Sequence, residues 1–458
     1  MTARTSAETA GARALELAAT LTGWATLAVV LAASLFLGAN RPVSWILLSM
    51  MVLALFIAQL VIDVLSDPKP QTWRLVPPVL LFLGALLWAL VQAAPTASGV
   101  AVHPIWGFAP EANGAISADP IAGRHHIMRL SMYAMVFWIA LRAAADPDRA
   151  QAFLVATALF IAGLSAFGLY AYMTGNNPIL GDLASNSVVS ASFGNRNSFA
   201  TYAVFGLVAN LALYLRLMSD GAAENSAGRA ELRDFIEKFF GGGWVFVLGV
   251  LICAAALLLS QSRAGAGAAI IGILVFILTR QREGRVSIGL LATVGFVFAF
   301  VVFVLSSGLG QRLVSTSEEE SRFEVYDRIT ALIAERPILG HGLGSFQDVF
   351  RAELPLDLAT TEWTMAHNSY LENVLEFGLV GAAAFYLALA WLGALVLHGT
   401  MVRRRHRVFS RVALACFAAA AFHAFFDFSL QIPAIAAAFA MILGIGVAQS
   451  QRRGTRNG

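Results

Sequence analysis

The chain has 458 residues, 58% of them hydrophobic and only 13% charged, against about 25% charged for an ordinary soluble protein. Apolar runs of about 20 residues recur along it, which excludes a soluble globular protein and a β-barrel of short alternating segments, and predicts an all-α, polytopic membrane protein. The net charge of +3 gives no reason to expect a nucleic-acid partner, and Cys253 and Cys416, in separate apolar runs, give none to expect a disulfide framework or a cysteine metal site.

About twelve transmembrane helices are predicted, at roughly 17–37, 43–62, 76–94, 128–145, 151–174, 198–218, 243–260, 265–280, 286–306, 373–398, 411–428 and 432–449. The first run is long and lacks a small-residue cleavage site, so it reads as a span. With the N-terminus inside, most of the 31 lysines and arginines fall on the inner side, led by RRRHR (403–407) and the tail QRRGTR (451–456). Both termini are therefore expected in the cytoplasm. An outer loop at about 95–127 carries His103, His125 and His126. A second, about 175–197, runs into SFGNRNSFATY (192–202). The third, about 307–372, is long and charged; within it FEVYDRITALIAE (323–335) has helical apolar spacing and is expected to lie on the membrane surface. On the inner side, AELRDFIEKFF is amphipathic, and Asp-Pro-Asp (146–148) reads as a turn.

A few polar residues stand out against this background. Arg263, in SQSRAGAG (260–267), lies between two apolar runs. Exposed N–H groups at a helix start together with a guanidinium make an anion site suited to phosphate; an arginine reaching to lipid headgroups is the plainer alternative. Arg196, in GNRNS, and Arg328, in VYDRITAL, carry the same two readings, headgroup contact for the first and a solvated helix face for the second. His367 precedes the tenth run, and a neutral imidazole there can take a proton from an attacking hydroxyl; an interfacial polar contact is the alternative. Asn368 and Ser369 fit ordinary helix caps. Glu372 and Glu376 are four apart and fit a structural polar pair, while His423 and Asp427, also four apart, fit an orienting pair, a proton path or a simple hydrogen bond.

Taken together these segments resemble the O-antigen ligase and polymerase superfamily. HNSYLENVLEFGLVG (367–381) fits that family's spacing of His367, Asn368, Gly378 and Gly381. SQSRAG matches its Ser-x-Ser-Arg turn, and DRITALIAERPILGHGLGSF its Arg, Pro, Gly-x-Gly-x-Phe pattern. HAFFDFSLQIP and GNRNSFATY resemble two further family segments. The resemblance covers about 190–450, dividing the chain into N-terminal transmembrane helices (1–190), an O-antigen ligase-like transmembrane unit including the periplasmic loop 307–372 (191–450), and a cytoplasmic tail (451–458).

The resemblance implies a metal-independent, cofactor-free, inverting glycosyltransferase in a bacterial inner membrane, working on the periplasmic face. The donor would be a glycan on undecaprenyl diphosphate and the acceptor a lipid A-core hydroxyl. It implies catalytic roles for His367, Arg263 and Arg328; Arg196, Asn368, His423 and Asp427 are candidates for substrate binding. A polymerase of O-antigen or exopolysaccharide repeat units, with a growing glycan as acceptor, is the close alternative, and a protein O-oligosaccharyltransferase a third. A transporter or flippase fits twelve spans, but the halves show no repeat.

Overall fold

The computed structural model describes residues 2–66, 72–96, 101–108, 114–181, 187–219, 229–281, 317–352, 363–403 and 405–451. Among them the chain is helical, with no strand beyond one bridge between Pro95 and Ala115. Nine helices among the described residues are long and apolar enough to cross a membrane. In chain order the first half comprises α1 (Thr2–Ala33), α2 (Pro42–Ser66), α3 (Val76–Gln92), α4 (Pro120–Ala143), α5 (Pro147–Thr174) and α6 (Arg196–Ser219). The segment α7 (Arg229–Lys238) leads into α8 (Trp244–Leu259) and α9 (Arg263–Gln281). After them come α10 (Ser317–Glu335), α11 (Phe346–Ala352), α12 (Ser369–Val402), α13 (Arg407–His423) and α14 (Pro433–Ser450).

Two expected spans correspond to helices outside the nine: α4, whose N-terminal half carries Arg124, His125, His126 and Arg129, and α13, which at 17 residues is short for a span. The expected span 286–306 and the tail beyond 451 lie outside the described residues. The bundle is built around α6 and α14, whose membrane-spanning stretches are 94% buried. Alanine and glycine make up much of α14 (PAIAAAFAMILGIG), so its backbone approaches α4 and α13 closely, the usual way helices associate where lipid removes the hydrophobic drive. Asp146 caps α5, its Oδ1 accepting from the N–H groups of Asp148 and Arg149 at 3.0 Å, so Asp-Pro-Asp is a helix start.

Two features depart from the sequence expectation. The apolar stripe of α10 does not face lipid. Val325, Ile329 and Leu332 are buried with Phe346, Phe350, Ala366 and Leu375, so α10 is a protein-packed cover over the start of α12. The tenth span is not one helix either. At Gly378 the backbone turns to φ 72°, ψ 168°, a region open essentially only to glycine. Residues 369–377 form a short helix folded back on the longer one, which brings the rings of Tyr370 and Tyr386 to 5.0 Å and lets the Tyr386 hydroxyl donate to the Ser369 carbonyl at 3.0 Å.

A break at membrane level exposes backbone groups that lipid cannot satisfy. Here each freed carbonyl has a donor. His341 N–H bonds the Leu375 carbonyl at 2.9 Å, Gly342 N–H and Gln92 Nε2 both bond that of Glu376 at 2.9 Å, and Trp88 Nε1 bonds that of Phe377 at 2.7 Å. In return Leu379 N–H donates to the Pro337 carbonyl at 2.8 Å. The segment GHGLGSF is thus the dock for the broken helix.

Candidate functional site

The short helix 369–377 starts at Asn368, whose Oδ1 accepts from the N–H groups of Tyr370 and Leu371 at 3.1 Å. Its carboxylates clip loop backbone: Glu372 accepts from Ala366 N–H at 2.8 Å and Glu376 from Phe346 N–H at 3.2 Å. They are structural, each serving a separate N–H. Ser369 fastens the start to the α13–α14 turn, its N–H donating to the Ala424 carbonyl at 2.9 Å and its hydroxyl to that of Asp427 at 3.0 Å.

His367, immediately before this cap, is held at φ 54°, a left-handed conformation uncommon outside glycine. Its ring meets Phe428 at 5.0 Å and Trp363 at 6.1 Å, both edge-on. The Tyr326 hydroxyl, from α10, donates to its carbonyl at 3.0 Å. Nδ1 stands 3.5 Å from Asp427 Oδ1, long for a full hydrogen bond, as catalytic contacts often are without substrate. Asp427 is fully buried. Its Oδ1 also accepts from Phe428 N–H at 2.7 Å, and its Oδ2 from the amide of Asn197. A carboxylate on Nδ1 favours the tautomer with its proton there and leaves Nε2 as the basic nitrogen.

His423 and Asp427 meet through backbone, the Asp427 N–H donating to the His423 carbonyl at 3.0 Å, and not through a side-chain hydrogen bond. The helix α13 ends at His423, and the chain turns before Asp427, so the side chain four residues on swings to His367. His423 is buried with neither ring nitrogen hydrogen-bonded. In GNRNS the structure adds two residues that the sequence did not single out. Asn195 caps α6, accepting from Asn197 and Ser198 N–H at 2.9 and 3.0 Å, and Asn197, not the half-buried Arg196, touches Asp427. The signal was the pair of asparagines flanking Arg196.

Arg263 is the first residue of α9, behind Ser262, whose hydroxyl accepts from Gly265 N–H at 3.1 Å. Gly265 faces Ala200 of α6, so the starts of α9 and α6 stand at one end of the bundle, the end that holds Asp427. Arg328 is exposed on α10, two residues after Tyr326. The structure therefore joins His367, Asp427 and Asn197 directly, and sets Arg263, Arg328 and Arg196 on elements around them. Behind the short helix lies a cavity of about 510 Å³, walled by Phe377, Phe385, Phe417 and Phe439, with Arg129, Ser369 and Asn373 as polar lining.

The loops over this end are tied by a buried histidine pair. Ile105 N–H donates to His103 Nδ1 at 3.2 Å, the His103 Nε2 and His341 Nδ1 atoms are 2.8 Å apart, and His341 Nε2 lies 2.9 Å from the Leu332 carbonyl. One assignment satisfies every step: both rings neutral, each with its proton on Nε2. Arg336 reinforces the tie through the carbonyls of Ala101 and Val102 at 2.9 and 3.2 Å. Burial, then His341, then Arg336 push the His103 pKa down to about 3; burial likewise lowers that of His341.

Residues 248–386 match the family described as O-antigen ligase. That region belongs to the O-antigen ligase superfamily. The matched stretch takes in Arg263, α10, the glycine dock, His367 and the break at Gly378, and the match supports a glycosyltransferase-type membrane enzyme superfamily for that region. No curated protein matches the chain.

Proposed function

We propose that this protein is a periplasmic-face glycosyltransferase of the bacterial inner membrane that moves a glycan from undecaprenyl diphosphate to an acceptor hydroxyl, a lipid A-core hydroxyl in the ligase reading. The observation that carries it is the meeting of His367, Asp427 and Asn197, three residues from separate segments, at the end of the bundle where Arg263 and Arg328 also stand. The acceptor O–H gives its proton to His367 Nε2 as its oxygen forms the new bond to the anomeric carbon. The bond from that carbon to the phosphate oxygen breaks, and the diphosphate leaves with the electron pair. Asp427 holds the imidazole and offsets the charge it gains. Arg263 and Arg328 act on the departing diphosphate, where preplaced donors lower the barrier most. One displacement inverts the anomeric centre. The cavity behind the short helix suits the apolar part of a lipid-linked substrate.

The test is transfer by purified protein from a defined polyprenyl diphosphate glycan, offered lipid A-core or a second donor molecule as acceptor. Attachment to lipid A-core supports the ligase reading, and lengthening of the donor glycan supports the polymerase reading. Folded protein that transfers to neither, under conditions where a known ligase works, overturns the proposal.

A further inference from the structure

At the end of the bundle opposite His367, α6, α9 and the start of α13 enclose a cavity of about 430 Å³. Arg216 lines it from α6, Arg280 from α9, and Arg405, Arg407 and Arg411 from the turn into α13, with His406 among them. No aspartate or glutamate is among the described residues of its lining. The tendency of basic residues to stay on the inner side accounts for arginines at this level of the chain, but not for their convergence. Arginines with that role alone extend to water or headgroups, whereas Arg411 is only 6% exposed. The neighbouring contacts fix where the guanidinium groups point. Arg216 lies 5.4 Å from the centre of the Phe409 ring, Arg280 donates to the Ser219 hydroxyl at 2.6 Å, and Arg407 Nε donates to the Arg403 carbonyl.

Most of the charges around His406 are positive. Burial, then the charges of Arg216 and Arg403, hold His406 below the ordinary histidine range, with Arg405 adding to them and Asp148 at the start of α5 opposing. Guanidinium forks match phosphate oxygens in geometry as well as charge.

We propose that this cavity binds a phosphate-bearing anion, and that the headgroup of an acidic membrane phospholipid is its occupant in the bilayer. Basic pockets between transmembrane helices on the inner side suit such headgroups, and Phe276 and Val408 give this one an apolar wall toward the bundle. The bound headgroup ties α6, α9 and α13 at one end; the opposite ends of α6 and α9 begin with Arg196 and Arg263. The inference is independent of the transferase reading.

The test uses the full chain, purified in detergent and stripped of lipid, with native mass spectrometry and thermal unfolding as readouts. Phosphatidylglycerol is expected to be retained about tenfold better than phosphatidylethanolamine and to raise the melting temperature. The double variant R216Q/R280Q is expected to lose about that tenfold preference, and Arg405→Ala, at an exposed position, to lose part of it with folding intact. Inorganic diphosphate that displaces the lipid and reproduces its stabilisation assigns the same site to a soluble phosphate compound. Equal retention of the two lipids, or a preference unchanged in both variants, overturns the site.

Discussion

Gly340 and Gly378 pack backbone against backbone. A Cβ built on Gly340 would lie 2.4 Å from the Gly378 nitrogen, and one on Gly378 would lie 2.2 Å from the Ile338 carbonyl oxygen. Both residues have positive φ, 66° and 72°. The two glycines are the hinge between the broken helix and its dock.

Gly378→Ala is expected to lower stability and abolish transfer together. The φ/ψ pair alone costs a non-glycine residue about 1–3 kcal/mol, and the neighbouring carbonyl belongs to backbone that cannot swing away. Thermal unfolding of the purified variant should show a drop of several degrees or more. An unchanged melting temperature would mean that the break is not part of the folded state.

Asp427→Asn is expected to reduce kcat by about a hundredfold or more, with KM little changed, because general-base assistance contributes roughly 10²–10⁴ in rate. The amide fills the same space but does not offset an imidazolium. His367→Ala should be at least as severe, and the double variant no worse than His367→Ala. Additive losses in the double variant would separate the two residues and undo their pairing.

These two expectations bear on what could be read before the structure was known. Apolar runs of 20 residues make the spans legible, since their burial is local to each run. The break at Gly378 is hidden in the same pattern: NVLEFGLVGAAAF is mostly apolar, and its donors come from Trp88, Gln92, His341 and Gly342, distant in sequence. The stripe on α10 has the right period for an amphipathic helix, but periodicity does not say whether lipid or protein covers it. Residues four apart share a helix face only if the helix continues, and α13 stops at His423. That is why Asp427 finds His367.

Acid is expected to loosen the loops that the His103–His341 pair ties together. In the folded chain His103 titrates near 3 and His341 below its ordinary value, whereas in the unfolded chain both take up protons as pH falls below about 6.5. The unfolded state therefore binds more protons between those limits, and stability falls with pH across that window while being fully present above it. The melting temperature should decline steadily from about pH 6.5 toward pH 4, and less steeply in His103→Gln, whose amide can still donate to His341 Nδ1. Equal slopes in the two proteins would assign the acid sensitivity to other groups.

Arg263 and Arg328 stand on different elements, one at the start of a membrane helix behind Ser262 and the other exposed on the covering helix α10. If both act on the departing diphosphate, Arg263→Gln and Arg328→Gln should each reduce kcat by about 10²–10³, the range for loss of one preplaced donor, while thermal unfolding stays near the parent. Lysine at either position keeps the charge and loses the fork, so it should recover only part of the rate. The leaving group offers a sharper reading. A donor with a more acidic leaving phosphate needs less help as the bond breaks, so the penalty of either glutamine variant should shrink with it. A penalty equal for both donors would mean that the arginines bind the ground state, and the charge developing in the transition state would then have to be met by other groups.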